Sequence, residues 1–143
     1  MMRYTLRSLI PAPPEQIFLY CTSRAGFCQH FPFPVDWRSG PEQWRQGDAL
    51  DFRYRVWGLW FVHRADILEL QPGRLFVDQM TQGLYRHFRH THRFEPAPGG
   101  TYVIDEVEFS LGLGKLLDRC IGLPTLDRAF RQRHRALAAF WEK

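Results

Sequence analysis

Long apolar runs, runs of like charge and paired cysteines are all missing from this chain of 143 residues. No window approaches the roughly 20 consecutive apolar residues of a membrane-spanning helix, so stable membrane insertion is not expected. Cys21, Cys28 and Cys120 are odd in number and lack C-x-x-C spacing. That excludes a disulfide framework and a zinc ribbon, and predicts free thiols in a reducing compartment. Leu9-Ile10 is stopped at once by Pro11, far short of the about 7–15 apolar residues of a signal-peptide core, so the expected location is cytoplasmic. The net charge is +4, which by itself suggests an anionic partner. The arginines, however, occur singly with carboxylates among them and form no basic arm, so no nucleic-acid partner is expected. Internal repeats and low-complexity segments are also missing.

Hydrophobic residues make up 45% of the chain and aromatics 15%, enough for one sizeable core, and residues 1–143 read as a single domain. Arg3 to Ile10 reads as a strand ended by Pro11. Pro13-Pro14-Glu15 opens a helix, because proline suits the first turn and an acidic side chain complements the helix dipole there. Ser23 caps a second short helix running towards His30, and Phe31-Pro32-Phe33-Pro34 breaks it. Asp36 to Gly47 reads as a loop or an irregular edge strand. Strands follow from Asp48 to Val56, through Leu70 after a turn at Trp57-Gly58-Leu59-Trp60, and from Leu75 to Thr81 after a type II turn at Gln71-Pro72-Gly73-Arg74. Trp57 and Trp60 at that hairpin tip line a cavity mouth or belong to the core. Near the end, Lys115 to Ile121 reads as a helical turn or two, interrupted by Gly122 and Pro124. Thr125 then caps a final helix in which Leu126, Phe130, His134, Leu137 and Trp141 form an apolar stripe. Arg128, Arg131 and Arg135 lie towards its wet side.

The densest information lies in Tyr85 to Phe94 and Gly100 to Phe109, which read as a hairpin. Side chains alternate along a strand, so Phe88, His90, His92 and Phe94 share one face. Thr101, Val103, Asp105, Val107 and Phe109 share another. Pairing Phe94 with Thr101 sets His90 opposite Asp105. Arg86, Arg89 and Arg93 fall on the wet face, with Glu106 and Glu108 as cross-strand partners. The resulting class is α+β: an antiparallel sheet of about six strands, two short helices after the first strand, and a long C-terminal helix covering one face.

The order of elements resembles the START-like, or SRPBCC, superfamily, with its bacterial ligand-binding SRPBCC and polyketide-cyclase-like members. The residues that carry the likeness are Pro13-Pro14-Glu15-x-Ile17-Phe18, Phe76-x-Asp78, Phe88-x-His90-x-His92-x-Phe94, Gly100-Thr101-x-x-x-Asp105-x-Val107-x-Phe109 and Phe130-x-x-Arg133. Phe88 stands where that superfamily often has tryptophan. The resemblance implies the helix-grip fold shared with the birch-pollen allergen: a curved sheet wrapped around the last helix. It also implies a cavity between them for an apolar or amphipathic molecule such as a lipid, quinone or polyketide. Phe88, His90, His92, Phe94, Asp105, Val107, Phe109, Phe130, His134 and Leu137 are the expected lining.

Three roles are open for the histidines. They are buried polar groups held by hydrogen bonds, with Asp105 serving His90 and Thr101 or a carbonyl serving His92. Alternatively His90 is a general base oriented by Asp105, with Tyr85 or His92 polarising an oxygen, as cyclisation or dehydration of a polyketide-like chain requires. The third role is metal binding by His90 and His92 with Asp105 as third ligand, which finds no fourth group in the sequence. Asp78 reads as a solvated or hydrogen-bonded strand carboxylate. The leading reading is a non-catalytic carrier of a small hydrophobic molecule with no cofactor and no metal. The alternatives are a cyclase/dehydratase-type enzyme using His90 and Asp105, and an interaction module with a filled core. No particular protein partner is legible.

Overall fold

The computed structural model describes residues 1–142. Strand β1 spans Met2–Ile10, and helices α1 (Pro14–Cys21) and α2 (Arg24–His30) follow it. Strands β2 (Val35–Ser39), β3 (Ala49–Val56), β4 (Leu59–Gln71), β5 (Leu75–Gln82), β6 (His87–Ala97) and β7 (Gly100–Ser110) come next. Helix α3 (Lys115–Leu117), a π-helical turn (Asp118–Gly122) and α4 (Leu123–Trp141) complete the chain. The strands form one seven-stranded antiparallel sheet in the order β1-β7-β6-β5-β4-β3-β2. The edge strand β2 overlaps the start of the stretch from Asp36 read as a loop or irregular edge strand, and it accounts for seven strands where about six were expected.

Local chemistry explains the corners. Ser23 accepts a hydrogen bond from the Gly26 amide at 3.1 Å and so caps α2. The β3–β4 connection is tighter than the four residues expected, because Val56 pairs directly with Leu59. Trp57 and Gly58 alone make the turn, at φ 52° and 81°, the positive values that suit a two-residue hairpin. Trp57 is 96% exposed and Trp60 41%, so neither is core.

The register of the central hairpin differs from the expectation. Phe94 pairs with Val103, His92 with Asp105, and His90 with Val107. Both strands run on through Glu95 to Ala97 and close over Pro98 and Gly99, which moves the pairing by two residues. A two-residue slip preserves which face each side chain occupies. The inward set therefore stands: Phe88, His90, His92, Phe94, Thr101, Val103, Asp105, Val107 and Phe109 are all buried.

The last helix also starts differently. Thr125 is inside α4 and caps nothing. The chain is helical from Lys115, and Gly122 and Pro124 are absorbed rather than interruptive. The Leu123 amide bonds the Asp118 carbonyl across five residues, so the π turn rearranges the bonding just before Pro124, which has no amide hydrogen to give. Gly122 is required by close approach, since a Cβ there would lie 2.5 Å from Phe109 Cε2. Leu126, Arg133, His134 and Leu137 are the buried residues of α4.

Candidate functional site

Four elements bring the polar residues of the interior together. Period-two alternation aims His90 and His92 inward from β6, Asp105 from β7 and Asp78 from β5. Helix α4 lays Arg133 and His134 over them. Asp105 is fully buried, and both of its oxygens are occupied. His90 Nε2 donates to Oδ1 at 2.8 Å, although His90 is diagonal to Asp105 rather than opposite it. His134 Nε2 donates to Oδ2 at 2.5 Å and Arg133 donates to the same oxygen. His92 Nδ1 stands 3.5 Å from Oδ1. Burial alone pushes the Asp105 carboxyl up. The charge of Arg133, then His90 and the bond from His134, outweigh this and hold it well below the usual carboxylate range. The Ser8 hydroxyl donates to His134 Nδ1 at 2.7 Å and fixes that ring's tautomer.

Three assignments change. His92 is served by Asp78, whose Oδ2 lies 2.7 Å from Nε2, while Thr101 donates to the Ala12 carbonyl at 2.7 Å. Asp78 is therefore the hydrogen-bonded strand carboxylate of the two readings, not the solvated one. Burial raises it, but the hydrogen bond and charge of His92 lower it further. Its inward parity with Phe76 and Met80 was the available signal. Arg133 is the site residue that sequence reasoning left without a role, because arginines on a helix are usually solvated. Its place one position before His134 on the apolar stripe and its place in the Phe130-x-x-Arg133 pattern were the hints. His92 is pushed down to about 4, first by burial and then by the neighbouring His90. Its ring stacks on Phe76 at 3.8 Å and on His90 at 3.5 Å between centroids.

The expected lining residues are thus gathered, but they fill the space between sheet and α4 themselves. Nine of them are buried, Phe130 is partly so, and Phe130 stacks on His90 at 5.1 Å. Two surface pockets of about 480 and 380 Å³ lie elsewhere. One is lined by Met1, Arg86, His87, Ser110, Gly114, Lys115 and Asp118, the other by residues around Pro14, Pro72 and Phe94. Neither touches the His–Asp network.

The rest of the concave face, over β3, β4 and β5, carries a continuous set of inward aromatic rings. Tyr54 contacts Phe31, Phe33, Phe61 and His63 at centroid distances of 5.6, 5.9, 6.1 and 6.4 Å. His63 meets Phe88 edge-on at 6.2 Å, and Phe88 meets Tyr85 at 4.8 Å. Phe31, Phe33, Tyr54, Phe61, His63 and Tyr85 are only half-buried. Burial and mutual proximity raise the Tyr54 phenol, and burial pushes Tyr85 up to about 12. Both hydroxyls therefore stay protonated, able to donate a hydrogen bond.

A second buried ring, His30, gives a pH dependence. Burial, then the charge of Arg133, holds it well below its ordinary 6.5, while Asp105 favours its proton and His92 opposes it. The folded state then binds fewer protons than the unfolded one below about pH 6.5. Stability is expected to be unaffected by His30 above that pH and to fall beneath it, by up to about 1.4 kcal/mol per pH unit. Urea unfolding of wild type and His30→Leu between pH 7 and pH 5 checks this: the wild-type midpoint falls more steeply.

Solved structures share this architecture. Protein CV1439 from Chromobacterium violaceum superposes with a TM-score of 0.83 at 18% identity, covering 100% of this chain and 99% of that one. Major latex-like protein 151 from Panax ginseng gives 0.77 at 9% identity over 99% and 98% of the two chains. Ara h 8.0201 gives 0.75 at 13% identity over 97% and 96%. The fold is the helix-grip fold expected from the sequence. The chain belongs to the family described as "Domain of unknown function (DUF8410)", whose model matches residues 58–141. No curated protein matches it.

Proposed function

We propose that the chain works as one START-like domain that binds and carries a small amphipathic molecule, on the aromatic half of the concave face rather than under α4. The observation that carries this reading is the half-buried state of six rings that point inward. Large aromatics normally bury themselves in the core or against a partner; Phe31, Phe33, Tyr54, Phe61 and His63 stay half-buried, and so does Tyr85 although it packs against the cluster of Phe88 and Phe109. The ligand's apolar body lies against these rings, and its oxygen accepts from Tyr54 or Tyr85. The fully committed oxygens of Asp105 favour a structural role for it over that of partner to a general base.

Naphthol is a suitable probe, being planar and apolar with one hydroxyl. Calorimetry is expected to give saturable one-to-one binding, weakened about tenfold in Phe61→Ala, equivalent to about 1.4 kcal/mol. Linear, unsaturable heats, or wild-type affinity retained in both Phe61→Ala and Tyr54→Ala, contradict the proposal.

A further inference from the structure

We infer that Asp78, His90 and His92 form a site for one divalent first-row transition-metal ion. One nitrogen from each ring and a carboxylate oxygen of Asp78 lie within 4.8 Å of one another, the spacing of donors that converge on a single ion at about 2.0–2.2 Å. Two imidazoles and a carboxylate suit zinc, cobalt or nickel better than magnesium or calcium.

The surroundings support the assignment independently of the donors. Metal-bound histidines normally donate their second ring N–H to a carboxylate, which orients the ring. Asp105 Oδ1 stands ready for both rings, 2.8 Å from His90 Nε2 and 3.5 Å from His92 Nδ1. That leaves His90 Nδ1 and His92 Nε2 for the ion, with Asp78 already 2.7 Å from the latter. His92 Nδ1 is buried without a hydrogen-bond partner, the condition expected of a nitrogen whose proton is supplied only when Nε2 is taken by a metal. Charge points the same way. Asp78 and Asp105 bring two carboxylates to the cluster against the single guanidinium of Arg133. Asp105 thus becomes an orienting group for both rings rather than the third ligand.

The site is independent of the carrier reading, because its three ligands are all protein groups. The test uses the full chain, treated with chelator and titrated with cobalt(II), and read by visible absorption and by calorimetry. One equivalent is expected to bind saturably with an intense visible band. Affinity is expected to fall about 100-fold or more in Asp78→Asn, which keeps the shape of the side chain, and in His92→Phe, which keeps the stack on Phe76. Asp105→Asn, which touches no ion, is expected to cost about 10- to 100-fold. If His92→Phe does not fold, Asp78→Asn alone decides. Failure of the wild type to bind saturably overturns the inference, as does unchanged affinity in Asp78→Asn.

Discussion

Asp105→Ala is expected to lower the free energy of unfolding by about 3–5 kcal/mol, the cost of breaking a buried ion pair by removing one partner. Arg133 is only 5% exposed. Without the carboxylate its guanidinium keeps, among the described residues, a single weak contact from Nη2 to Cys21 Sγ, at 3.8 Å. His90 and His134 lose their shared acceptor in the same step. The loss comes mainly from stranded charge rather than from lost volume, and a second variant separates the two. Asp105→Leu combined with Arg133→Met removes both charges and keeps the bulk, so it is expected to recover most of the stability, because buried pairs replaced by apolar groups are often neutral. Guanidinium unfolding of the three proteins checks this. A loss under about 1 kcal/mol in Asp105→Ala, or no recovery in the double variant, contradicts the role given to Asp105.

The second large effect is expected at a glycine. A Cβ on Gly26 would overlap the carbonyl oxygen of Tyr20 and stand 2.9 Å from Ser23 Oγ. That hydroxyl also donates to the Tyr20 carbonyl at 3.0 Å, locking the corner between α1 and α2. The obstacle is backbone, which no side-chain rotation relieves, so Gly26→Ala forces the two helices apart. Cys21 and Trp44 belong to the core cluster beneath them, and Phe27 packs against it. The expected cost is at or above the ~3 kcal/mol upper end of ordinary overpacking. Gly47→Ala is the contrast. Its φ is 92° but open space surrounds it, so only backbone strain of about 1 kcal/mol or slightly more is expected. Similar losses in the two variants contradict the steric argument.

Much of this architecture was legible in the chain because strand parity is a local property. Alternation alone identified the inward face of β6 and β7, and it survived a register that was wrong by two residues. The Pro72-Gly73 turn was legible for a similar reason: Gly73 supplies φ 75°, and the Arg74 amide bonds the Gln71 carbonyl at 3.0 Å. Register itself depends on where the turn closes, and Glu95-Pro96-Ala97 gives no hint that pairing continues through it. The helix start is not legible in the sequence because Gly122 and Pro124 are breakers by propensity. Their reasons for being there, Phe109 overhead and a π turn behind, are tertiary. The site was legible by halves. His90 and Asp105 were found through parity, whereas Asp78 and Arg133 carry charges that usually face water. Only the assembled network explains their burial. The open aromatic half is not legible in the sequence because its rings come from β3, β4, the α2–β2 connection and the β5–β6 turn, segments that no sequence spacing links.

Amide shift mapping by NMR with naphthol tests the central claim most directly. The account predicts saturable shifts confined to Phe31 and Phe33, the β3–β4 hairpin around Tyr54, Phe61 and His63, and the start of β6 around Tyr85 and Phe88. Shifts concentrated on Phe130, His134 and Leu137 of α4, or no saturable shift at all, would contradict it.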